Sequence, residues 1–280
     1  MSAQVEVQRA LDHVDAASPS ARCALDVALL DLIAQRKGVP LHVLLGGAPT
    51  GTVALSALLP MGDLDAALEF AEERWRQGIS VFKAKVGADL DRELVFLHAF
   101  RTQFEHPFTL RLDANRTLAE QTASRDLARL AELEPEYLEE PFPLEALFRL
   151  KQPPPLPLAL DESLQESDAE LWAARAMDAG LVRALVLKPA ALGGILRCLR
   201  LGQIGARRGV ASSVSHLYDG PVALAAGAEL ALALERPGTA GLAPHPGLAL
   251  WPAAVSPAIR GSHLERHDLP GLGLPPLELA

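Results

Sequence analysis

Several features that mark particular protein classes are scarce or missing in this sequence. Its 280 residues include only two cysteines, Cys23 and Cys198, and no CxxC pair, which excludes a zinc ribbon or a thioredoxin-type motif. No run of about 18 uncharged apolar residues occurs, and the first residues lack a signal-peptide pattern. We therefore expect a cytoplasmic protein with no membrane partner.

The charge balance excludes a further class. The net charge is −9 at pH 7, which argues against nucleic acid as a partner, because such proteins present a basic face. Hydrophobic residues make up 49% of the chain, enough for a large folded core. The length suits one large barrel domain or two smaller ones. Nothing in the sequence indicates an oligomeric state.

A helix near the N-terminus is the first clear element. Ser18 supplies a cap residue, and Pro19 follows at the first helical position. Apolar residues then recur at helical spacing until Gly38 and Pro40, which end the helix. A short second segment follows around Leu41–Leu45.

Beyond residue 50, short apolar runs alternate with amphipathic helical stretches. Eight runs read as strands: 52–60, 79–87, 108–116, 136–142, 156–163, 182–190, 209–216 and 239–245. Helices are predicted at Leu64–Gln77, Asp91–Phe104, Ala119–Leu133 and Asp168–Ala179. Eight strands with helices between them predict a parallel sheet closed into a TIM-like (β/α) barrel.

Five of these runs end in charged side chains at intervals of 22 to 28 residues, about one βα unit each. In a parallel barrel, all of them would lie at the C-terminal ends of the strands, where barrel enzymes have their active sites. The residues are Lys83 with Lys85, then Asp113, Glu139, Asp161 and Lys188.

Strand alternation predicts which side chains face the barrel interior, because successive residues point to opposite faces. Lys83 and Lys85 share one face. Arg111 shares a face with Asp113 and is a candidate for binding substrate. Leu138 faces outward, so the inward acid of this run is Glu139 rather than Glu140.

Three inward carboxylates on consecutive strands would repel one another unless a cation lay between them. Oxygen-only ligands favour Mg²⁺, with Mn²⁺ as a substitute, and the absence of His or Cys makes zinc or copper less suitable. The neighbouring lysines suit proton transfer and the stabilisation of an anion that forms next to them. The motifs thus predict a metal-dependent enzyme acting on a small carboxylate.

Other positions carry weaker signals. Gly193 and Gly194 could let a helix N-terminus approach an anionic group, or form only a flexible turn. Ser212 and Ser213 could bond a substrate carboxylate, or serve as plain capping residues. Asn115 follows Asp113 by two residues and is a candidate for lining the pocket.

The chain resembles the enolase superfamily, in its mandelate racemase/muconate-lactonizing-enzyme-like subgroup, through five motifs: FKAKVG, LRLDANR, YLEEPF, ALDES and VLKPAALGG. Within the subgroup, the sequences of these motifs are most similar to those of the o-succinylbenzoate synthases. The segment starting at PSARCALD resembles the last helices of the family's α+β capping domain. The resemblance implies that 1–50 is a shortened capping domain and 51–250 the barrel. The Pro/Gly-rich segment 251–280 reads as a tail that wraps over the surface and packs back on the capping segment, or as a disordered end.

The resemblance also implies roles for the strand-end residues. Lys85 would remove the proton α to the substrate carboxylate, Lys188 would stabilise the enediolate, and Lys83 would tune Lys85. The Mg²⁺ ligands would be Asp113, Glu139 and Asp161. In an o-succinylbenzoate synthase, a carbon–oxygen lyase of menaquinone synthesis, Lys85 would then protonate the departing hydroxyl in a syn dehydration.

Alternatives remain open at this point. An N-acylamino acid racemase or another muconate-cycloisomerase-like isomerase would use the same lysine pair, and a shortened cap also fits a catalytically degenerate member. The eighth run, GLAPH, lacks the acidic DxD pattern of the dipeptide epimerases. The seventh run has His216 near the position where relatives usually carry a glutamate.

Overall fold

The computed structural model of the chain describes residues 3–12, 18–48, 51–150, 152–251, 259–265 and 267–274. The α-helices are α1 (Ala3–Asp12), α2 (Pro19–Lys37), α3 (Leu41–Leu44), α4 (Leu64–Arg76), α5 (Leu90–Gln103), α6 (Ala123–Ala131), α7 (Leu144–Leu147), α8 (Ala169–Asp178), α9 (Pro189–Leu192), α10 (Ile195–Ala206) and α11 (Pro221–Ala233). Short 3-10 helices cover Glu120–Thr122, Glu162–Gln165 and Pro246–Leu250.

The strands are β1 (Thr52–Ala54), β2 (Ala57–Leu58), β3 (Val81–Lys85), β4 (Thr109–Asp113), β5 (Tyr137–Glu139), β6 (Leu158–Leu160), β7 (Val182–Leu187), β8 (Ala211–Val214), β9 (Ile259–Arg260) and β10 (His263–Glu265). Among the helices described, none has the length and apolar character needed to cross a membrane.

The N-terminal helix α2 begins and ends where its sequence predicts. The Ser18 hydroxyl accepts a hydrogen bond from the Ala21 amide at 3.2 Å, and Pro19 occupies the first turn. Gly38 ends the helix with a positive φ of 66°, and its amide donates to the Ala34 carbonyl. These contacts confirm both boundaries.

The chain forms two compact units. Unit 1 comprises Met1–Leu55, Leu187–Ala206 and Ser212–Ala280, and unit 2 comprises Ser56–Val186 and Arg207–Ala211. The boundaries predicted at residues 50 and 250 concern segments of sequence rather than these units. That division stays a prediction.

Unit 2 is built on parallel strands that pair in chain order from β2 to β7. The register aligns Lys85 with Asp113, and Asp113 with Glu139, so their side chains share one face of the sheet. On the opposite face, Phe82 and Leu112 are fully buried. The predicted parallel sheet and its alternation are confirmed.

Two predicted runs fold differently from the expectation. The run at 239–245 forms isolated bridges at Ala240 and Gly241, and no strand covers it in the part of the chain described. A Cβ on Gly241 would lie 2.9 Å from the Ser215 hydroxyl, so the backbones approach more closely there than a regular ladder with side chains permits. The run at 52–60 divides into β1, in an antiparallel sheet, and β2, in the parallel one.

Unit 1 brings its N-terminal segment together with the tail. Strand β1 pairs with β10, aligning Ala54 with His263. The Leu41 amide donates to the Gly271 carbonyl at 2.8 Å. These contacts give the tail a backbone-bonded place in unit 1.

The helix α11 has a mostly apolar sequence and carries one buried charge. Glu229 is 2% exposed. Its carboxylate accepts bonds from the His42 amide at 2.6 Å and lies 2.9 Å from His42 Nδ1 and 3.1 Å from His267 Nε2. Burial opposes ionisation, but the bonds from His267 and His42 outweigh it and lower the pKa of Glu229 to about 2. We call these three residues the Glu229 clamp.

Candidate active site

The C-terminal ends of β3, β4 and β5 bring two lysines against two buried carboxylates. The Lys83 ammonium contacts both Glu139 oxygens, at 2.9 and 2.7 Å, and lies 2.8 Å from Asp113 Oδ2. Both acids are fully buried, whereas the Lys83 side chain is 19% exposed. The in-register pairing of the three strands produces this arrangement, because it stacks equivalent positions side by side.

Lys85 is the more accessible lysine. Its ammonium donates to Asp113 Oδ2 at 2.6 Å and to Asn115 Oδ1 at 2.5 Å, while its side chain is 48% exposed. The Asn115 amide in turn donates to Asp113 Oδ1 at 3.1 Å. A half-exposed lysine held by a carboxylate has a fixed position and open space beside it, as a proton-transfer group requires.

Asp161 is the third acid of this group. It is 1% exposed and is one of the groups that raise the pKa of Glu139. Burial raises the pKa of Glu139 to about 8, opposed by Lys83 and aided by Asp113 and Asp161. For Asp113, burial opposes ionisation, but Lys83 and Lys85 outweigh it and lower the pKa. We call the three acids and two lysines the acidic cluster.

The donor set of the acidic cluster fits a hard divalent cation. Within the described residues, no group of three His, Cys, Asp or Glu side chains is already arranged as a metal site, and the lysine ammonium groups contact the acids directly. The three acids supply only oxygen ligands, as Mg²⁺ prefers. Three acids against two lysines leave one negative charge that the cluster itself does not balance, and a cation could supply the balance.

Glu140 points away from the cluster and fixes the next loop. Its carboxylate accepts bonds from the Asp161 amide at 2.8 Å and the Ser163 amide at 3.1 Å, and also bonds the Ser163 hydroxyl. Arg116 holds it from the other side at 2.9 Å. Glu140 is buried and has a positive φ of 42°, a strained conformation of the kind that accumulates at functional sites.

Glu140, Arg116 and Ser163 form a network that supports the site, and the sequence did not predict it. Its signal was the second glutamate of YLEEPF and the arginine of LDANR, both of which adopt positive φ. Glu162 also belongs to it, because Oε1 accepts a bond from the Asn115 side chain at 2.8 Å. Its other oxygen, Oε2, is buried and finds no hydrogen-bond partner in the described part of the chain.

Arg111 is one layer below the cluster. Its guanidinium is buried, contacts Glu136 at 2.6 Å and lies 4.9 Å from the centre of the Tyr137 ring. The Arg111 guanidinium is therefore already in contact with other groups of the protein. A role in binding substrate stays a prediction.

The remaining predicted residues lie in unit 1. Lys188 is half-buried and precedes α9, where its carbonyl accepts the Leu192 amide at 2.9 Å. The Ser213 hydroxyl donates to the Thr239 carbonyl at 2.7 Å. The Ser212 hydroxyl is buried and has no hydrogen-bond partner among the residues that the structure describes. A polar atom in that state is costly, so Ser212 keeps its place as a candidate ligand-binding residue.

Gly193 and Gly194 precede α10, and the anion at the start of this helix is a side chain of the protein itself, Asp26. Asp26 of α2 accepts bonds from the first amides of α10, those of Ile195 and Leu196. A Cβ on Gly194, whose φ is 131°, would lie 2.3 Å from the Asp26 carboxylate, and one on Gly193 would lie 3.5 Å from Arg22. Burial raises the pKa of Asp26 to about 6 despite these bonds.

Comparison with known proteins places these residues in a family. Residues 66–279 match the model described as "Enolase C-terminal domain-like". A hydrophobic dipeptide epimerase of Enterococcus faecalis is 26% identical over 274 residues, covering 96% of this chain and 76% of the relative. A muconate cycloisomerase of Rhodococcus opacus is 31% identical over 235 residues, covering 80% and 60% respectively.

Solved structures agree. The crystal structure of the dipeptide epimerase from Enterococcus faecalis superposes with a TM-score of 0.84 at 25% identity, covering 97% of this chain and 79% of that one. The muconate lactonizing enzyme of Pseudomonas putida gives 0.84 at 25%, covering 97% and 77%. These matches confirm the predicted α/β, TIM-like barrel class with a capping domain. The chain therefore belongs to the enolase superfamily, among relatives of the muconate cycloisomerases and dipeptide epimerases.

Proposed function

We propose that the chain is a Mg²⁺-dependent enzyme that removes the proton α to a substrate carboxylate, with Lys85 as the base. The observation that carries this proposal is the position of the Lys85 ammonium. It bonds a buried acid of the proposed metal set, Asp113, at 2.6 Å, yet it is 48% exposed and can reach a substrate. Bound Mg²⁺ would neutralise the substrate carboxylate and so make its α proton more acidic.

Each other residue of the acidic cluster has a role in this proposal. Asp113, Glu139 and Asp161 would hold the metal, and a solved relative, the Enterococcus faecalis dipeptide epimerase, has been crystallised with Mg and a dipeptide. Lys83 would favour the ionised form of Glu139 and fix its orientation, since it contacts both carboxylate oxygens. Lys188 of unit 1 would provide a second positive charge or proton donor.

The specific reaction that we propose is the dehydration of 2-succinyl-6-hydroxycyclohexadiene carboxylate to o-succinylbenzoate. Lys85 would take the α proton and pass it to the departing hydroxyl, so that water leaves and no other reactant is needed. The sequences of the five motifs support this assignment, because they resemble those of the o-succinylbenzoate synthases most. It would make the chain a lyase of menaquinone synthesis.

The second candidate is racemisation of an N-acylamino acid. A relative that supports it is the N-succinyl-L-Arg/Lys racemase of Bacillus cereus, 24% identical over 225 residues, 79% of this chain and 60% of the relative. Racemisation needs both Lys85 and Lys188 to move protons, whereas dehydration needs only one to do so. A cycloisomerase would share the same pair.

Exchange of the α proton with deuterium in heavy water tests the shared step without assuming which product forms. With Mg²⁺ and each substrate, we expect exchange or turnover to fall by about 10²- to 10⁴-fold in Lys85→Ala. The exposed Lys37→Ala variant is the matched control and should keep full activity. Equal activity of Lys85→Ala and the control would refute the assignment of the base.

The Lys188→Arg variant separates the two reactions. It keeps a positive charge but cannot readily give up a proton. A dehydratase should retain part of its turnover, and a racemase should lose it together with exchange at the face that Lys188 serves. Conversion of the N-acylamino acid but not of the cyclohexadiene would replace the first reaction with the second.

A further inference from the structure

Three rings form a cluster at the end of β8 in unit 1. The rings of His216 and His245 are stacked with their centres 5.1 Å apart. Tyr218 stands edge-on to both, 5.6 Å from His216 and 5.4 Å from His245. The proposed mechanism uses none of them.

Hydrogen bonds to the backbone hold both histidine rings in place. His216 Nδ1 accepts the Tyr218 backbone amide at 2.8 Å, which requires a deprotonated nitrogen, and its ring also bonds the Ala243 backbone. Burial lowers the pKa of His216, and the charges of His245 and Lys188 lower it further. His245 Nε2 donates to the Asp219 carbonyl at 3.0 Å.

Tyr218 combines strain with exposure. Its φ is 59°, in the left-handed region that a bulky residue rarely adopts, and it is 67% exposed. Strained backbone conformations of this kind accumulate at functional sites, where the surrounding structure holds them. A large exposed aromatic ring is stabilised when a ligand covers it. The amide bond to His216 holds the turn that presents this ring.

We propose that His216, Tyr218 and His245 form a platform that binds a planar, conjugated ring of the substrate by stacking. This inference rests on the proposed function, because it assigns the ring to a substrate that reacts next to Lys188. The charge of Lys188 acts on His216, so both belong to the same part of unit 1, and a positive charge there disfavours a cationic ligand.

Equilibrium binding of two matched carboxylates tests the platform without catalysis. The probes are 3-phenylpropanoate and 3-cyclohexylpropanoate, which have the same carbon skeleton but differ in planarity. By titration calorimetry with Mg²⁺, we expect the wild type to bind the phenyl compound about fivefold more tightly. Tyr218→Phe should retain this ratio, because the ring remains.

Tyr218→Asn should bring the ratio close to one, and asparagine tolerates the left-handed backbone, so the fold should persist. An unchanged melting temperature would verify that. Phe148→Leu, which removes an exposed aromatic ring in unit 2, should leave the ratio as it is.

Equal affinity for the two compounds in the wild type, or binding of neither, would overturn the platform. So would a preference for the phenyl compound that survives in Tyr218→Asn. These results are independent of the α-proton exchange assay. Exchange without ring preference refutes the platform alone, and ring preference without exchange refutes the proposed reaction alone.

Discussion

The acidic cluster of unit 2 and the Glu229 clamp of unit 1 both bury carboxylates against basic side chains, with opposite results. In the cluster, burial and two neighbouring acids raise the pKa of Glu139 to about 8. In the clamp, Glu229 has no acidic neighbour among its bonded partners, and two histidines lower its pKa to about 2.

The difference separates a site that needs another cation from one that is complete. The clamp satisfies its single charge with three hydrogen bonds inside the protein. The cluster holds three acids and two lysines, so its acids outnumber its cations by one. Surplus negative charge in a buried place lowers stability, and a protein retains it where a ligand supplies the balance. The variants below probe this contrast.

Removing Lys83 should give the largest effect. In Lys83→Met, two buried acids lose their shared cation, and the free energy of unfolding should fall by about 3–5 kcal/mol without divalent metal. Millimolar Mg²⁺ should recover much of the loss, because it would supply the missing charge. Urea unfolding with and without Mg²⁺ measures both. Lys37→Met is the control, and a Lys83→Met protein indifferent to Mg²⁺ would contradict the proposed metal site.

Breaking the clamp should cost somewhat less and should not respond to metal. We expect Glu229→Ala to lower the free energy of unfolding by about 3 kcal/mol, because the buried His42 ring and amide lose their acceptor. The same unfolding experiment applies. Glu235→Ala, at an exposed position two residues beyond α11, should change stability by less than about 0.5 kcal/mol. Rescue by Mg²⁺ would erase the contrast between the two sites.

The pH dependence of stability should distinguish two buried acids of unit 1, Asp26 and Glu229. The pKa of Asp26 is raised from 3.8 to about 6, so its contribution is present below pH 3.8 and is lost as the pH rises through 6. Glu229 has a lowered pKa, so its contribution is present above pH 4.5 and is lost as the pH falls through 2.

Asp26→Asn isolates the first of these windows. Between pH 4 and 7 the wild type should lose on the order of 2 kcal/mol relative to this variant, which keeps an oxygen for the α10 amides. Thermal unfolding across that range gives the difference. A constant gap between the two proteins would show that Asp26 does not titrate as its burial implies.

The smallest expected effect concerns metal affinity. Glu140 fixes the backbone at Asp161 and Ser163, so Glu140→Gln should weaken Mg²⁺ binding by about 10- to 100-fold without touching the metal itself. Calorimetric titration with Mg²⁺ measures it, with the exposed Glu145→Gln as a matched variant. Unchanged affinity would make Glu140 a purely structural residue.

The sequence predicts what depends on neighbouring residues and on strand period. Alternation in FKAK and LRLD correctly groups Lys85 with Asp113, because a strand's two faces are determined within a few residues. The caps of α2 are predictable for the same reason.

The rest depends on distant partners. Glu229 meets His42, which is 187 residues away in sequence, and nothing local distinguishes it from a surface charge. Glu140 could not be assigned, because its targets are amides of the following loop and its own backbone has a positive φ. The run at 239–245 has the composition of a strand, but close approach at Gly241 and nearby prolines limit it to bridges.

Unit 1 is assembled from segments that are far apart in sequence, and this affects how the protein folds during synthesis. Unit 2 comes almost entirely from one stretch, Ser56–Val186, whereas unit 1 combines three. The partner of Ala54 in the β1–β10 ladder leaves the ribosome more than 200 residues later. We therefore expect unit 2 to begin folding during translation while the N-terminal helices wait with apolar surface uncovered, which makes them the segment most in need of a chaperone.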